Sequence, residues 1–246
     1  MTAAKMRAMT GLPLIPEMKM SWEAPANLPK SFDVRERWPK TVVPVRHQQN
    51  CGSCWAFATT TAASIRFNIK GHNYGVLSPQ DLVSCDNNSS GCLGSKLYPP
   101  HVYMLEEGAA TEECMSYKSF DGRTPLCPSK CDNGSAIIRH KYQSIARYSV
   151  DTVMEGLMND GPTVFRFNVF EDFEKYRSGI YIKRSNRRVG GHQVALMGWG
   201  EENWVKYWLL QNSWGPEWGE NGFFRIRRGE NECECESSGF ISGRVE

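Results

Sequence analysis

Cys54 carries the strongest signal for chemistry, because it stands at the first turn of a long predicted helix. The unpaired N–H groups and the positive end of a helix dipole stabilise a thiolate there, and a nearby imidazolium lowers the thiol pKa further. A thiolate is a ready nucleophile at neutral pH. The alternative is a redox pair with Cys51, but no βαβ unit surrounds these two cysteines. We therefore interpret Cys54 as a candidate nucleophile.

His192 and Asn212 are the candidate partners of that nucleophile. Gly190 and Gly191 precede His192 and allow the backbone to approach a cleft closely, and a predicted strand follows. Asn212 ends another predicted strand, where its amide oxygen can accept a hydrogen bond from an imidazole and Trp214 can shield that bond. A lone histidine or asparagine is more often structural, so the combination with the cysteine carries the interpretation.

The elements that must position these residues change in character along the chain. Apolar residues at helical spacing predict a long helix over residues 53–70, with Ser53 as its N-cap and Gly71 just past its end. The other predicted elements are helices at residues 79–85, 99–108 and 150–159 and strands at residues 163–170, 194–199, 207–211 and 223–226. Helices followed by strands indicate an α+β fold of two subdomains with a cleft between them.

Composition narrows the class of protein. The chain has 246 residues, of which 40% are hydrophobic, so it can bury a sizeable core. A formal charge of +2 gives no general footprint for nucleic acid or an anionic membrane, and no apolar run has the length of a transmembrane helix. Nine cysteines indicate an oxidising compartment, and their spacing argues against a zinc site.

The cysteine motif and its partners resemble a known family. Cys51 to Trp55 reads CGSCW, and His192 and Asn212 lie about 140 and about 160 residues further along, so residues 28–246 resemble the papain-like cysteine proteases. Residues 31–39 and 221–229 and the cysteine spacing are most similar to the cathepsin B group. The resemblance implies a helical left domain over about residues 28–133, a β-barrel-like right domain over about residues 134–246 and a cleft between them. Residues 1–27 are interpreted as a leader or the end of a pro-segment.

The resemblance also implies roles for individual residues. Cys54 would attack the scissile carbonyl as a thiolate, His192 would protonate the leaving amine, and Asn212 would orient His192. Gln48 would supply a side-chain N–H to the oxyanion hole, together with the backbone N–H of Cys54. No cofactor or metal is implied. The implied substrate-binding residues are Gly94, Ser95, Lys96, Leu97, Gly190, Gly191, Gln193, Trp214, Trp218 and Ser238.

The family pattern implies three disulfides, which are Cys51–Cys92, Cys85–Cys127 and Cys114–Cys131. Cys233 and Cys235 remain. A Cys-x-Cys pair closes only a small strained ring, so two unpaired thiols are at least as well supported as a bridge.

The sequence departs from the cathepsin B group where that group has an occluding loop with two adjacent histidines. Here 12 residues without a histidine separate Cys114 from Cys127, and His47 stands where an Asp anchors the loop in that group. We expect the loop to be missing, the primed side to be open and the enzyme to be an endopeptidase. At the base of the S2 pocket, counting from Cys233 reaches Ser238, so a cationic substrate residue loses its partner.

The resemblance predicts a cysteine endopeptidase of lysosomal, vacuolar or secreted location that acts as a monomer on protein and peptide substrates. Possible partners are cystatin-type inhibitors and the chain's own pro-segment. The alternative from another class is a catalytically inactive papain-like protein used for binding. The basic run from Lys183 to Arg188 is interpreted as a solvated loop, with attraction of acidic substrate residues as the functional alternative.

Overall fold

The computed structural model describes residues 28–246, and the predicted leader lies outside that range. Five α-helices occur within it, namely α1 (Val34–Arg37), α2 (Cys54–Ile69), α3 (Pro79–Cys85), α4 (Pro99–Glu106) and α5 (Val150–Asp160). The eight strands within the same range are β1 (Phe32–Asp33), β2 (Ser144–Tyr148), β3 (Thr163–Phe170), β4 (Ile180–Tyr181), β5 (Arg188–Glu202), β6 (Val205–Gln211), β7 (Phe223–Arg227) and β8 (Phe240–Arg244).

The long helix α2 is central to the fold. Every residue from Cys54 to Phe67 is buried, so the helix is covered on all sides rather than along one stripe. One part of it packs against α3 and α4, and another part packs against β3, β5 and β8. The predicted N-cap Ser53 precedes the helix, and Gly71, with a φ of 87°, follows its C-cap Lys70.

The strands form one mostly antiparallel sheet. Its order is β2-β8-β3-β5-β6-β7-β4, with β1 paired to β5 and the β4–β7 pair parallel. The strand predicted at residues 194–199 is longer and runs from Arg188 to Glu202, so Gly190, Gly191 and His192 lie inside it. Gly198 is required there, because a Cβ at this position would stand 2.1 Å from the carbonyl oxygen of Phe32 in β1.

Each half of the molecule has its own core. The β-rich half is filled with aromatic side chains, including Phe167, Phe173, Trp208 and Phe224. The helical half packs Trp55 with residues of α3 and α4, and Tyr142 and Val245 from the second half of the sequence join that cluster. The two cores, with α2 between them, form the α+β papain-like architecture that the sequence predicted.

All three predicted disulfides are present, linking Cys51 to Cys92, Cys85 to Cys127 and Cys114 to Cys131. Cys54, Cys233 and Cys235 are unpaired and buried. Residues 28–246 contain no helix with the length and apolar character needed to cross a bilayer. Over the same residues, no group of three or more His, Cys, Asp or Glu side chains is arranged to hold a metal ion.

Candidate active site

Cys54 is the first residue of α2, and its side chain is 0% exposed. The Ser53 side chain does not cap the helix, since its hydroxyl lies 2.8 Å from the hydroxyl of Tyr117. The thiol instead has hydrogen bonds with the backbone of Gln193, Trp55 and Cys54 itself, and these lower its pKa. The contact with Gln193 brings the nucleophile beside the strand that carries the candidate base.

The thiol pKa differs from the expectation drawn from the sequence. Burial raises the pKa of Cys54 to about 12, outweighing the hydrogen bond from Gln193 and the positive charge of Arg166, which lower it. Burial also lowers the pKa of His192 to about 4, against a hydrogen bond that raises it. In both groups burial opposes the charged form. The expectation of a lowered thiol pKa at the helix start is wrong, because desolvation is the largest effect.

His192 lies in β5 opposite Phe167 of β3 and is fully buried. Its Nε2 is 2.7 Å from Oδ1 of Asn212, and the rings of His192 and Trp214 have their centroids 4.9 Å apart. Within residues 28–246 the other ring nitrogen, Nδ1, has no hydrogen-bond partner. The asparagine therefore fixes one nitrogen of the ring and leaves Nδ1 to act as a base.

Gln48 is held rigidly before the helix. Its Nε2 donates to the carbonyl of Cys51 at 2.8 Å, and its Oε1 accepts from Oγ of Ser213 at 2.6 Å. The Gln48 backbone N–H donates to the carbonyl of Ser213 at 2.9 Å, and its carbonyl accepts from the hydroxyl of Tyr117 at 2.8 Å. These bonds fix which end of the buried amide carries the nitrogen.

The predicted substrate-binding residues line two sides of the site. Gly94, with a φ of 111°, follows the short 3-10 helix Gly91–Leu93. Nε2 of Gln193 donates to the carbonyl of Ser95 at 3.2 Å, so β5 is linked to the helical half beside the nucleophile. Of the next two residues of that loop, Lys96 is exposed and Leu97 is half-buried.

Trp214 and Trp218 lie at one end of the site. Together with Glu174, Lys175, Arg177 and Glu217 they line an open cavity of about 590 Å³. The two indole rings meet edge to face with centroids 5.1 Å apart, and Nε1 of Trp218 donates to the carbonyl of Glu174 at 3.4 Å. The structure therefore brings the predicted Trp218 to the edge of the candidate site.

Ser238 lies just before β8, which pairs with β3 on the edge opposite β5. Its Oγ donates to the carbonyl of Arg166 at 3.1 Å. It also lines a second cavity, of about 280 Å³, together with Leu97 and Tyr98. Gly190 and Gly191 lie in β5 directly before His192 and are paired with Val169 and Asn168 of β3.

Sequence reasoning missed three residues that support the site. Ser213 orients the amide of Gln48, and its position directly after Asn212 was a usable signal. Tyr117 bridges Ser53 and Gln48, but it lies in the irregular segment between Cys114 and Cys127 and no pattern marks it. Arg166 is the third, and only the strand register brings it beside Gln193.

Comparisons with known proteins agree with this geometry. The family model described as papain family cysteine protease matches residues 28–242. The chain is 39% identical over 215 residues to "Cathepsin B-like CP3" of Giardia intestinalis, covering 85% of this chain and 72% of that protein. It is 35% identical over 222 residues to "Cathepsin B" of Dictyostelium discoideum, covering 82% of this chain and 71% of that protein. The solved structure "proCathepsin B S9 from Trypanosoma congolense" has a TM-score of 0.88 at 28% identity and covers 100% of this chain and 89% of that one.

The chain belongs to the papain family of cysteine proteases. Within that family its relatives are of the cathepsin B kind, as the residues around the cysteines indicated. The protein is a cysteine peptidase with the papain-like fold, which confirms the class predicted from its sequence.

Proposed function

We propose that this protein is an endopeptidase in which Cys54 is the nucleophile, His192 the base and Asn212 the residue that orients the base. The observation that carries the proposal is the 2.7 Å contact between His192 and Asn212, shielded by Trp214, on the strand whose next residue contacts the free thiol. Nucleophile, base and orienting group are the three parts that acyl transfer through a thiol needs.

Proton transfer between Cys54 and His192 accompanies each step of the proposed reaction. As the thiol of Cys54 approaches the substrate carbonyl, its proton passes to Nδ1 of His192 and the sulfur attacks as a thiolate. The bond between the carbonyl carbon and the leaving nitrogen then breaks, and the imidazolium returns the proton to the amine. Water hydrolyses the acyl-enzyme with His192 as base and restores the thiol.

Gln48 supplies one donor of the oxyanion hole in this proposal, and the backbone N–H of Cys54 supplies the other. The support is that the bonds from Nε2 to the carbonyl of Cys51 and from Ser213 to Oε1 hold the Gln48 amide in one orientation, directly before the helix that begins at Cys54. A fixed donor costs no reorganisation when negative charge develops, and one such donor contributes about 3 kcal/mol in a comparable site.

Endopeptidase action follows from the expected loss of the occluding loop. The segment between Cys114 and Cys127 is short and lacks histidine, and His47 pairs through its backbone with Trp214. The cavity beside Trp218 is open and offers room for residues after the cleaved bond. Peptides with amidated and with free C-termini should therefore be cut at the same internal bonds with equal kcat/KM. Release of C-terminal dipeptides from the free acids alone would contradict the proposal.

The wider biology is proposed on the same basis. The substrates are proteins and peptides, the location is lysosomal, vacuolar or secreted, and the enzyme acts as a monomer that cystatin-type inhibitors can block. Residues 1–27 are the end of a pro-segment that inhibits the enzyme. A chain that starts at Leu28 should then have a higher kcat/KM than the 246-residue chain.

Active-site alkylation tests the mechanism. Iodoacetamide should label one thiol per molecule at Cys54 and abolish hydrolysis of a fluorogenic peptide, and Cys54→Ala should be folded and inactive. Cys233→Ala is the matched control, because Cys233 is also unpaired and buried but belongs to the 3-10 helix Glu232–Glu234 and has no role in the proposed mechanism. Full labelling of Cys54 without loss of hydrolysis would contradict the proposal. Labelling without any hydrolysis by the unmodified protein would favour the inactive binding protein.

A further inference from the structure

Arg166 is unusual among the residues of β3. The strand Thr163–Phe170 is buried at seven of its eight positions, and the exception is Arg166, which is half-buried. The one position of this strand that solvent reaches in part is therefore occupied by a positively charged side chain.

The packing of α2 against β3 shows where that charge lies. Near the C-terminal end of α2, Nε of Arg66 donates to the carbonyl of Pro162 at 2.6 Å. Closer to the N-terminal end, Ala58 packs in one cluster with Val164. The strand and the helix therefore run in opposite directions, with increasing residue number on the strand matched by decreasing residue number on the helix.

The same progression places Arg166 level with Cys54. Two residues along a strand advance about 6.7 Å. Four residues along a helix advance about 6 Å. The step from Val164 to Arg166 thus matches the step from Ala58 to Cys54. Arg166 is also paired in register with Gln193, whose backbone contacts the thiol, and its charge acts on the Cys54 sulfur.

On its other side Arg166 adjoins the cavity that Ser238 lines. Oγ of Ser238 donates to the carbonyl of Arg166 at 3.1 Å. The cavity measures about 280 Å³, and Arg147 also lines it, with its guanidinium 4.3 Å from the ring of Tyr98. Arg147 is the one charged residue among the described residues that line this cavity, and no carboxylate is among them. The lining therefore offers no negative charge that would repel an acidic substrate side chain.

We propose that Arg166 is a specificity-determining residue that binds the side-chain carboxylate of an aspartate or glutamate in the substrate, at the second residue before the cleaved bond. The position rests on the proposed function and on the expectation from the sequence that Ser238 lies in the pocket for that residue. A guanidinium presents two parallel N–H donors that match a carboxylate, so the side chain recognises an acid by shape as well as by charge.

The competing explanation is that Arg166 serves only the thiol, by stabilising negative charge on Cys54. That role would affect all substrates equally and would move the pH dependence of the reaction. Recognition of an acidic side chain affects only the substrates that carry one. The two roles can therefore be separated by comparing matched peptides.

The experiment uses three internally quenched peptides that differ only at the second residue before the cleaved bond, which is glutamate, glutamine or lysine. With the wild-type enzyme, kcat/KM for the glutamate peptide should exceed that for the glutamine peptide by about ten-fold to a hundred-fold, as expected for a hydrogen-bonded charge. Arg166→Gln should bring this ratio close to one, and Arg166→Glu should favour the lysine peptide. Arg37→Gln is the matched control, since Arg37 is exposed on α1, and it should keep the wild-type ratio.

Three results would overturn the proposal. The first is a wild-type ratio at or below one, and the second is an unchanged ratio in Arg166→Gln. The third is an equal loss on all three peptides together with a shifted pH profile, which assigns Arg166 to the thiol. If Arg166→Gln does not fold, Arg166→Lys decides, because it keeps the charge and should reduce the ratio several-fold. Absence of cleavage of every peptide would instead refute the proposed peptidase, and the alkylation experiment reports that separately.

Discussion

The contact between Ser213 and Gln48 gives a test of the proposed oxyanion hole and of what holds it in place. In Ser213→Ala the hydroxyl that donates to Oε1 of Gln48 at 2.6 Å is removed, so this hydrogen bond is lost. The loss of one intramolecular hydrogen bond costs about 0.5–1.5 kcal/mol, so the free energy of unfolding should fall by about that amount. The bond from Nε2 to the carbonyl of Cys51 remains, so the amide is loosened rather than released.

The effect on catalysis follows from the same contacts. Removing the donor itself in Gln48→Ala should reduce kcat about 100-fold to 1,000-fold. Losing only its support, worth about 1 kcal/mol, should reduce kcat about five-fold in Ser213→Ala. Because Ser213 acts through Gln48, the double variant should be no slower than Gln48→Ala alone.

Kinetics on one fluorogenic peptide and urea unfolding measure the two effects separately. Ser78→Ala is the control, because Oγ of Ser78 is also buried and donates at 2.6 Å, to the carbonyl of Met115 outside the site. It should lose stability and keep kcat. A double variant that is about five-fold slower than Gln48→Ala would refute the reasoning, since it would show that Ser213 contributes independently of Gln48.

The remaining predictions concern pH and redox conditions. The pH–rate profile should be broad. Its acid limb should lie below pH 6.5, because burial lowers the pKa of His192 to about 4, and its alkaline limb should lie above pH 9.0, because burial raises the pKa of Cys54 to about 12. An acid limb at or above pH 6.5 would contradict this prediction. Burial lowers the pKa of His101 to about 3, so between pH 6.5 and 3 the unfolded chain binds a proton that the folded chain does not. As pH decreases from 6.5 to 3, the free energy of unfolding should therefore fall by up to about 1.4 kcal/mol per pH unit. In His101→Phe, the free energy of unfolding measured with urea should depend less steeply on pH. Strong reductant should lower Tm, since each disulfide contributes about 2–4 kcal/mol, and an unchanged Tm would show that the bridges do not stabilise the fold.

The sequence predicted the helices and strands whose pattern of apolar residues is strong within the segment itself. The helix that begins at Cys54 and the strand at residues 163–170 have strong periodicity, and both are found as predicted. The pair β2–β8 was missed, because these strands are about 100 residues apart and β8 contains a glycine. The start of β5 was missed for a similar reason, since Gly190 and Gly191 read as a loop although pairing with β3 keeps them extended.

The candidate site divides in the same way. Cys54, His192 and Asn212 were found because their residue types and order along the chain are distinctive. The direction of the thiol pKa was not predictable from a helix start, because it depends on how deeply the folded chain buries the sulfur. Arg166 was not predictable either, since nothing in the sequence places residue 166 beside residue 193.

The three disulfides all link residues between Cys51 and Cys131, so every covalent bridge among the described residues lies in the wall of the cleft that carries the nucleophile. The described part of the wall that carries His192 has no disulfide and is held by the sheet and by a core rich in aromatic side chains. The two walls therefore have different vulnerabilities. Reducing conditions weaken the support of Cys54 and leave the histidine wall intact, whereas a cavity in the aromatic core displaces the base and spares the nucleophile. If Cys54 and His192 act as proposed, either kind of damage should stop the enzyme by misaligning the two groups rather than by removing one of them.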